Sequence, residues 1–230
     1  MYKLKLIILL WPLSLTIFAF EPIKPSKATL DSNVGEMEVK MSLLDDGSWK
    51  LTSILDGGSI VRREESEVFE LIDNKIKPIN YRFNQRILFR RSKASADFDW
   101  KEKKISYIEN KDSGVIELYK NILGPSSASL QLRLDFRELK EGNIPEEISY
   151  DVYWKGLIKK RTYDISKVKE SVETPLGTFE AYKVSRKFSE TSDRSQIFWL
   201  APSLDFSVIK IYDKNDREIE IKIKEFEEIS

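Results

Sequence analysis

The chain has 230 residues, with 38 Lys and Arg against 38 Asp and Glu, and neither histidine nor cysteine. Balanced charge argues against nucleic acid, whose binders carry a strongly basic face. The missing residue types exclude disulfides, Ser-His and Cys-His nucleophile pairs and the commonest zinc and copper ligands, so no metal or other cofactor is expected.

Residues 1–20 read as a secretory signal peptide. Lys3 and Lys5 give a positive start, Leu6 to Leu10 and Leu13 to Phe20 carry an apolar stretch interrupted at Trp11, Pro12, Ser14 and Thr16, and Ala19 offers a small residue for cleavage. The apolar part is short of the ~20 residues that span a bilayer. When Lys3 and Lys5 leave, the 38 basic residues become 36 against 38 acidic ones, a mildly negative mature chain. With no cysteine there is no site for an N-terminal lipid, so the exported chain is expected to be free in its compartment. Residues 21–33, with Pro22 and Pro25, read as a flexible leader, and residues 34–230 as one β-rich domain.

From Val34 onward the dominant period is two. Met37, Val39, Met41 and Leu43 alternate with charged and polar residues; Asp45-Asp46-Gly47 turns the chain, and Trp49, Leu51 and Leu55 continue it. Strands are predicted at 68–72, 77–83, 94–100, 105–109, 115–119, 148–154, 179–184, 196–200, 206–212 and 219–223. Such spacing predicts a mainly β fold, a curved antiparallel sheet or open barrel. Residues 126–140 admit two readings. Ala128, Leu132, Phe136 and Leu139 share a helical face between Pro125 and Gly142, and Gln131 to Lys140 is rich in helix formers, which favours one short helix. Leu130, Leu132, Leu134 and Phe136 also alternate as a strand would.

Several groups invite a chemical reading. Ser207 and Lys210 have Ser-x-x-Lys spacing but fall in a strand, where positions three apart face oppositely. Asp213, Asn215 and Asp216 carry oxygen ligands but read as a hairpin turn. The pairs Glu36 with Glu38 and Asp97 with Asp99 alternate with apolar residues, as on a solvated face. Arg82, Arg86, Arg90, Arg91 and Lys93 form a basic run that suits anionic headgroups or glycans. The aromatic strand residues Trp49, Trp100, Trp154, Phe179, Tyr182 and Trp199 are the candidate ligand-binding set: on inward faces they either fill the core or line an apolar cavity.

Pro175 and Gly177 in Thr174-Pro175-Leu176-Gly177-Thr178-Phe179 fit a tight turn between strands, and Trp199-Leu200-Ala201-Pro202 ends a later strand. This "TPLGTF" then "WLAP" order, with Trp154-Lys155-Gly156 upstream, resembles domain-of-unknown-function family 3108, a group of exported bacterial proteins. The resemblance implies a Gram-negative periplasmic location and a β-rich fold similar to the half-barrels of lipoprotein carriers. It brings no catalytic residue with it.

The sequence therefore predicts a non-catalytic periplasmic protein that binds a hydrophobic or lipid-like ligand. One alternative is an envelope assembly or structural factor that takes another envelope protein along a sheet edge. A weaker one is a carboxylate-based polysaccharide hydrolase.

Overall fold

The computed structural model describes residues 23–139, 143–215 and 217–229. The expected signal peptide and the expected helix stop at Gly142 lie outside them. The described residues form fifteen strands: β1 (Ser26–Ser32), β2 (Gly35–Leu43), β3 (Trp49–Gly57), β4 (Val61–Ile72), β5 (Lys75–Ile87), β6 (Arg90–Asp99), β7 (Lys104–Glu109), β8 (Asp112–Glu117), β9 (Ile122–Leu123), β10 (Glu147–Trp154), β11 (Leu157–Thr174), β12 (Gly177–Arg186), β13 (Ser195–Ala201), β14 (Ser207–Lys214) and β15 (Glu218–Glu228). One sheet contains them all, in the order β8-β7-β6-β5-β4-β3-β2-β1-β15-β14-β13-β12-β11-β10-β9. Each pairing is antiparallel except the short parallel contact of β9 with β10. The chain thus winds as a long meander in which the first strand pairs with the last.

The helix α1 (Ser127–Glu138) lies between β9 and β10 in sequence and inside the curve of the sheet in space. Ala128, Leu130 and Leu134 pack with Met41, Trp49, Phe69 and Ile76 from β2–β5. Leu132 and Phe136 pack with Tyr163, Ile165, Tyr182, Val184 and Leu200 from β11–β13. Both halves of the sheet therefore bury side chains against one helix. That environment explains the double periodicity of residues 126–140: a helix enclosed on most sides is apolar around most of its circumference, so its leucines need not follow one stripe.

The sheet does not close. Its two ends, β8 and β9, share no ladder. Side chains bridge the approach instead: Tyr153 of β10 meets Phe98 of β6 edge-on at 5.9 Å and Tyr107 of β7 at 6.4 Å. A separate apolar layer of Leu30, Val172, Ala181, Trp199, Ile209 and Ile223 holds the β1, β11–β15 side together.

The turn chemistry is as expected where it is specific. Gly177 takes φ +145° and Thr174 Oγ1 donates to the Gly177 carbonyl at 2.8 Å, while Pro202 follows the end of β13. One expectation needs correction, and one strand has no counterpart among those predicted. Residues 26–32 are not a flexible leader. They form β1, hydrogen-bonded on one side to β2 and on the other to β15, and Ile23 before it is core. Pro25 precedes the strand and keeps a function in the ladder, since its carbonyl accepts the Ile229 N–H at 2.8 Å. The eighteen residues of β11 were also not anticipated. Their inward phase runs Arg161, Tyr163, Ile165, with a charged residue where the pattern calls for an apolar one, and a register shift between Ile165 and Lys169 then interrupts it.

Candidate functional site

Between α1 and the inner face of the sheet lies a cavity of about 380 Å³. This is within the usual range for small-ligand sites, ~300–1,000 Å³. Its lining combines two chemistries. Leu30, Met37, Val39, Met41 and Leu51 from β1–β3 supply an aliphatic wall, extended by Leu130 of α1 and by Phe198, Ile211, Ile223 and Phe226. Five arginines, Arg63, Arg133, Arg161, Arg186 and Arg194, line it as well, against two lining carboxylates, Glu65 and Asp213. The lining is therefore cationic and apolar at once.

Neighbouring groups fix the arginines to different degrees. Arg133, on α1, is held by Asp205, donating from Nη2 to the carboxylate at 2.7 Å and from Nε to the carbonyl at 2.8 Å. Arg63 donates to Glu65 at 2.6 Å, and Glu65 also accepts the Ser126 hydroxyl at 2.9 Å. Arg194 reaches Asp213 only at 3.5 Å, and Asp213 takes a shorter bond, 2.6 Å, from Gln196. Arg161 and Arg186 have no carboxylate partner among the described residues. Arg161 is only 9% exposed, donates to the Pro125 carbonyl at 3.2 Å and lies over the Trp154 ring at 5.4 Å. Arg186 donates to Gln196 Oε1 at 3.2 Å and shares the Phe188 ring with Arg194. Among the described residues the buried Nε atoms of Arg161, Arg186 and Arg194 find no acceptor. Burial, then the nearby Arg161 and Arg194 charges, pull the Arg186 guanidinium down to about 10. Buried donors without partners cost free energy until an acceptor arrives.

A second cavity of about 260 Å³ adjoins the first and shares Arg63, Pro125 and Trp154 with it. It runs toward Gln85 and Ser92 in the β5–β6 hairpin. A wider, more open hollow of about 510 Å³ is floored by Glu64, Ser66, Arg82, Asn84 and Ser95 and has no aliphatic wall of this kind.

Of the six aromatic residues expected at a site, Trp154 lines the arginine-lined cavity. The other five do not. Trp49 is core against α1, and Trp100 packs near β5–β7 with its indole donating to the Pro78 carbonyl at 2.7 Å. Phe179 and Trp199 belong to the β11–β15 layer, where Trp199 donates to Glu170. Tyr182 is buried among Phe136 and Phe206. Ser207 lines the cavity, whereas Lys210 is engaged by Glu220 at 3.0 Å and the Trp199 ring, so the two are not a pair. Three of the four surface carboxylates are ion-paired, Asp97 with Arg82, Glu36 with Lys224 and Glu38 with Lys27, and Asp99 accepts the N–H groups of Lys101 and Glu102. Among the described residues no cluster of His, Cys, Asp and Glu can hold a metal ion.

Sequence reasoning placed one residue of the lining, Trp154, and missed both the aliphatic wall and the arginines. Arg161 and Arg186 each sit in phase with buried residues, Tyr163 and Ile165 in one strand, Tyr182 and Val184 in the other. That phase was the available signal.

No curated protein matches the chain. Among solved structures, it is similar to a beta-barrel-like protein of domain of unknown function DUF1849 from Brucella abortus, with a TM-score of 0.58 over 90% of this chain and 99% of that one. At 9% identity that likeness concerns the fold alone. The family model for proteins of unknown function DUF3108 matches residues 24–223, which take in β1 through most of β15, both halves of the cavity wall and the helix between them; the chain belongs to the DUF3108 family.

Proposed function

We propose that this protein is an exported periplasmic binding protein whose cavity takes one lipid-like, amphipathic anion and converts nothing. The observation that carries the reading is the pairing of an aliphatic wall with Arg161 and Arg186, which lack carboxylate partners. An acyl chain would lie along Leu30, Val39, Met41 and Leu51. A carboxylate, phosphate or sulfate at its end would receive the unpartnered Nε donors. The apolar start of the sequence supports export, and a chain without histidine or cysteine supports binding over catalysis.

Displacement of a fluorescent fatty-acid probe tests this. The double variant Arg161→Met, Arg186→Met is expected to bind the carboxylate-bearing probe about tenfold more weakly or worse, while affinity for the matching fatty alcohol changes by less than about threefold. Equal loss for acid and alcohol, or no binding by the wild-type protein, contradicts the reading.

A second reading, an assembly or structural factor that takes an envelope protein along a sheet edge, is favoured by β8. Among the described residues this terminal strand has a neighbour on one side only, and Val115 on it is exposed.

A further inference from the structure

The β5–β6 hairpin turns over two residues, because Ile87 pairs with Arg90 across it. Such turns need positive φ and ordinarily use Asn, Asp or Gly. Asp73-Asn74, Asn110-Lys111, Lys155-Gly156 and Asn33-Val34 do so, and Pro175-Leu176 is followed at once by Gly177 at φ +145°. The β5–β6 turn instead carries Leu88-Phe89, with Leu88 at φ 52°, a strained setting for a branched side chain. Phe89 is 99% exposed and Leu88 56%. The β3–β4 turn sets Ile60, 60% exposed, beside them, and the Leu88 N–H donates to the Ile60 carbonyl at 2.7 Å. Ile87 is exposed as well. Four apolar side chains thus share one projecting end of the sheet, a grouping that isolated surface residues do not make.

Basic residues collar this tip. Arg62 is paired with Asp56 and Arg86 donates to the Gly58 carbonyl, whereas Arg90 and Arg91 are exposed without a carboxylate partner among the described residues. The geometry points to this tip as a membrane wedge: Leu88 and Phe89 enter the boundary between headgroups and acyl chains of an anionic bilayer, and the arginines rest on its phosphates. An apolar apex inside a cationic ring matches a surface that is apolar within and anionic at its rim. A second copy docking on the same patch would bring the same arginines against one another. The wedge stands without the cavity reading, yet the two are adjacent: Gln85 and Ser92, the next rung below Arg86 and Arg91, line the 260 Å³ cavity.

Vesicle flotation of the chain from residue 21 onward tests the inference. The protein is expected to float with phosphatidylglycerol–phosphatidylethanolamine vesicles, to float poorly with phosphatidylcholine, and to be released by salt. The variant Leu88→Asn, Phe89→Gly installs an ordinary hairpin turn, so it should fold, and it is expected to lose about tenfold or more in vesicle affinity. Arg90→Gln and Arg91→Gln should each weaken anionic binding about fivefold. In a Phe89→Trp variant, emission should shift to the blue on vesicles and be quenched by brominated acyl chains. No flotation of the unaltered chain, unchanged flotation of the turn variant, or a dimer in ultracentrifugation that the turn variant abolishes would each overturn the wedge.

Discussion

Ser126 makes no side-chain cap for α1. The carboxylate of Glu67, from β4, does this instead, accepting the N–H groups of Ser126 at 3.0 Å and Ser127 at 3.1 Å. Negative charge at a helix N-terminus is favourable, but Glu67 is fully buried and its Oε1 has no hydrogen-bond partner among the described residues. Burial pushes its carboxyl from 4.5 up to about 7 against the pull of those bonds. The native state then holds a proton that the unfolded chain releases between pH 4.5 and about 7, so this group's contribution falls as pH rises through that window and is level above it. Urea unfolding at pH 5 and pH 8 checks this: relative to Glu67→Gln, the wild type is expected to lose roughly 2–3 kcal/mol between the two. A constant difference would contradict it. At this scale the sequence was least legible. Glu65 and Glu67 face inward in β4, as Arg161 does in β11 and Arg186 in β12, and a charge on an inward face has the same letter as a charge on an outward one. Predicted strand 68–72 began only where the inward residues turned apolar.

The joint between α1 and β4 depends on one small residue. A Cβ on Gly124 would sit 2.2 Å from Glu67 Oε1 and 2.4 Å from its Cδ, and that carboxylate is fully buried. Gly124→Ala is therefore expected to destabilise the protein by about 2 kcal/mol, and by less than half that in a Glu67→Ala background. Equal costs in both backgrounds, measured by chemical denaturation, would place the strain elsewhere. Elements were legible where side chains alternate simply. Met37, Val39, Met41 and Leu43 marked β2, and Ile219, Ile221 and Ile223 marked β15. The helix was legible only as an ambiguity, because burial on both sides removed the polar stripe that distinguishes a surface helix from a strand.

For the whole molecule, the position of β1 matters most. It joins the outward run β2–β8 to the returning run β15–β9, so it is central although nearly first in sequence. Its seven residues offer only Ala28 and Leu30 as inward apolar side chains, too few to register as a strand beside two prolines. Removal of residues 1–20 is expected to leave folding intact, whereas removal of residues 1–32 should abolish cooperative unfolding by circular dichroism, because it opens two ladders at once. A shortened chain that still unfolds cooperatively would return the segment to the status of a leader. The same winding produces the site: α1 fills part of the hollow, and the unfilled part is walled by aliphatic residues from both runs, most of them on β1–β3, together with five arginines, three of them from the returning run. Native mass spectrometry of the protein recovered from its own periplasm tests that arrangement most directly. The account predicts one co-purifying anionic lipid-like mass per chain on the wild type and its loss from Arg161→Met, Arg186→Met; a wild-type protein that is bare, or a variant that keeps the same mass, would contradict it.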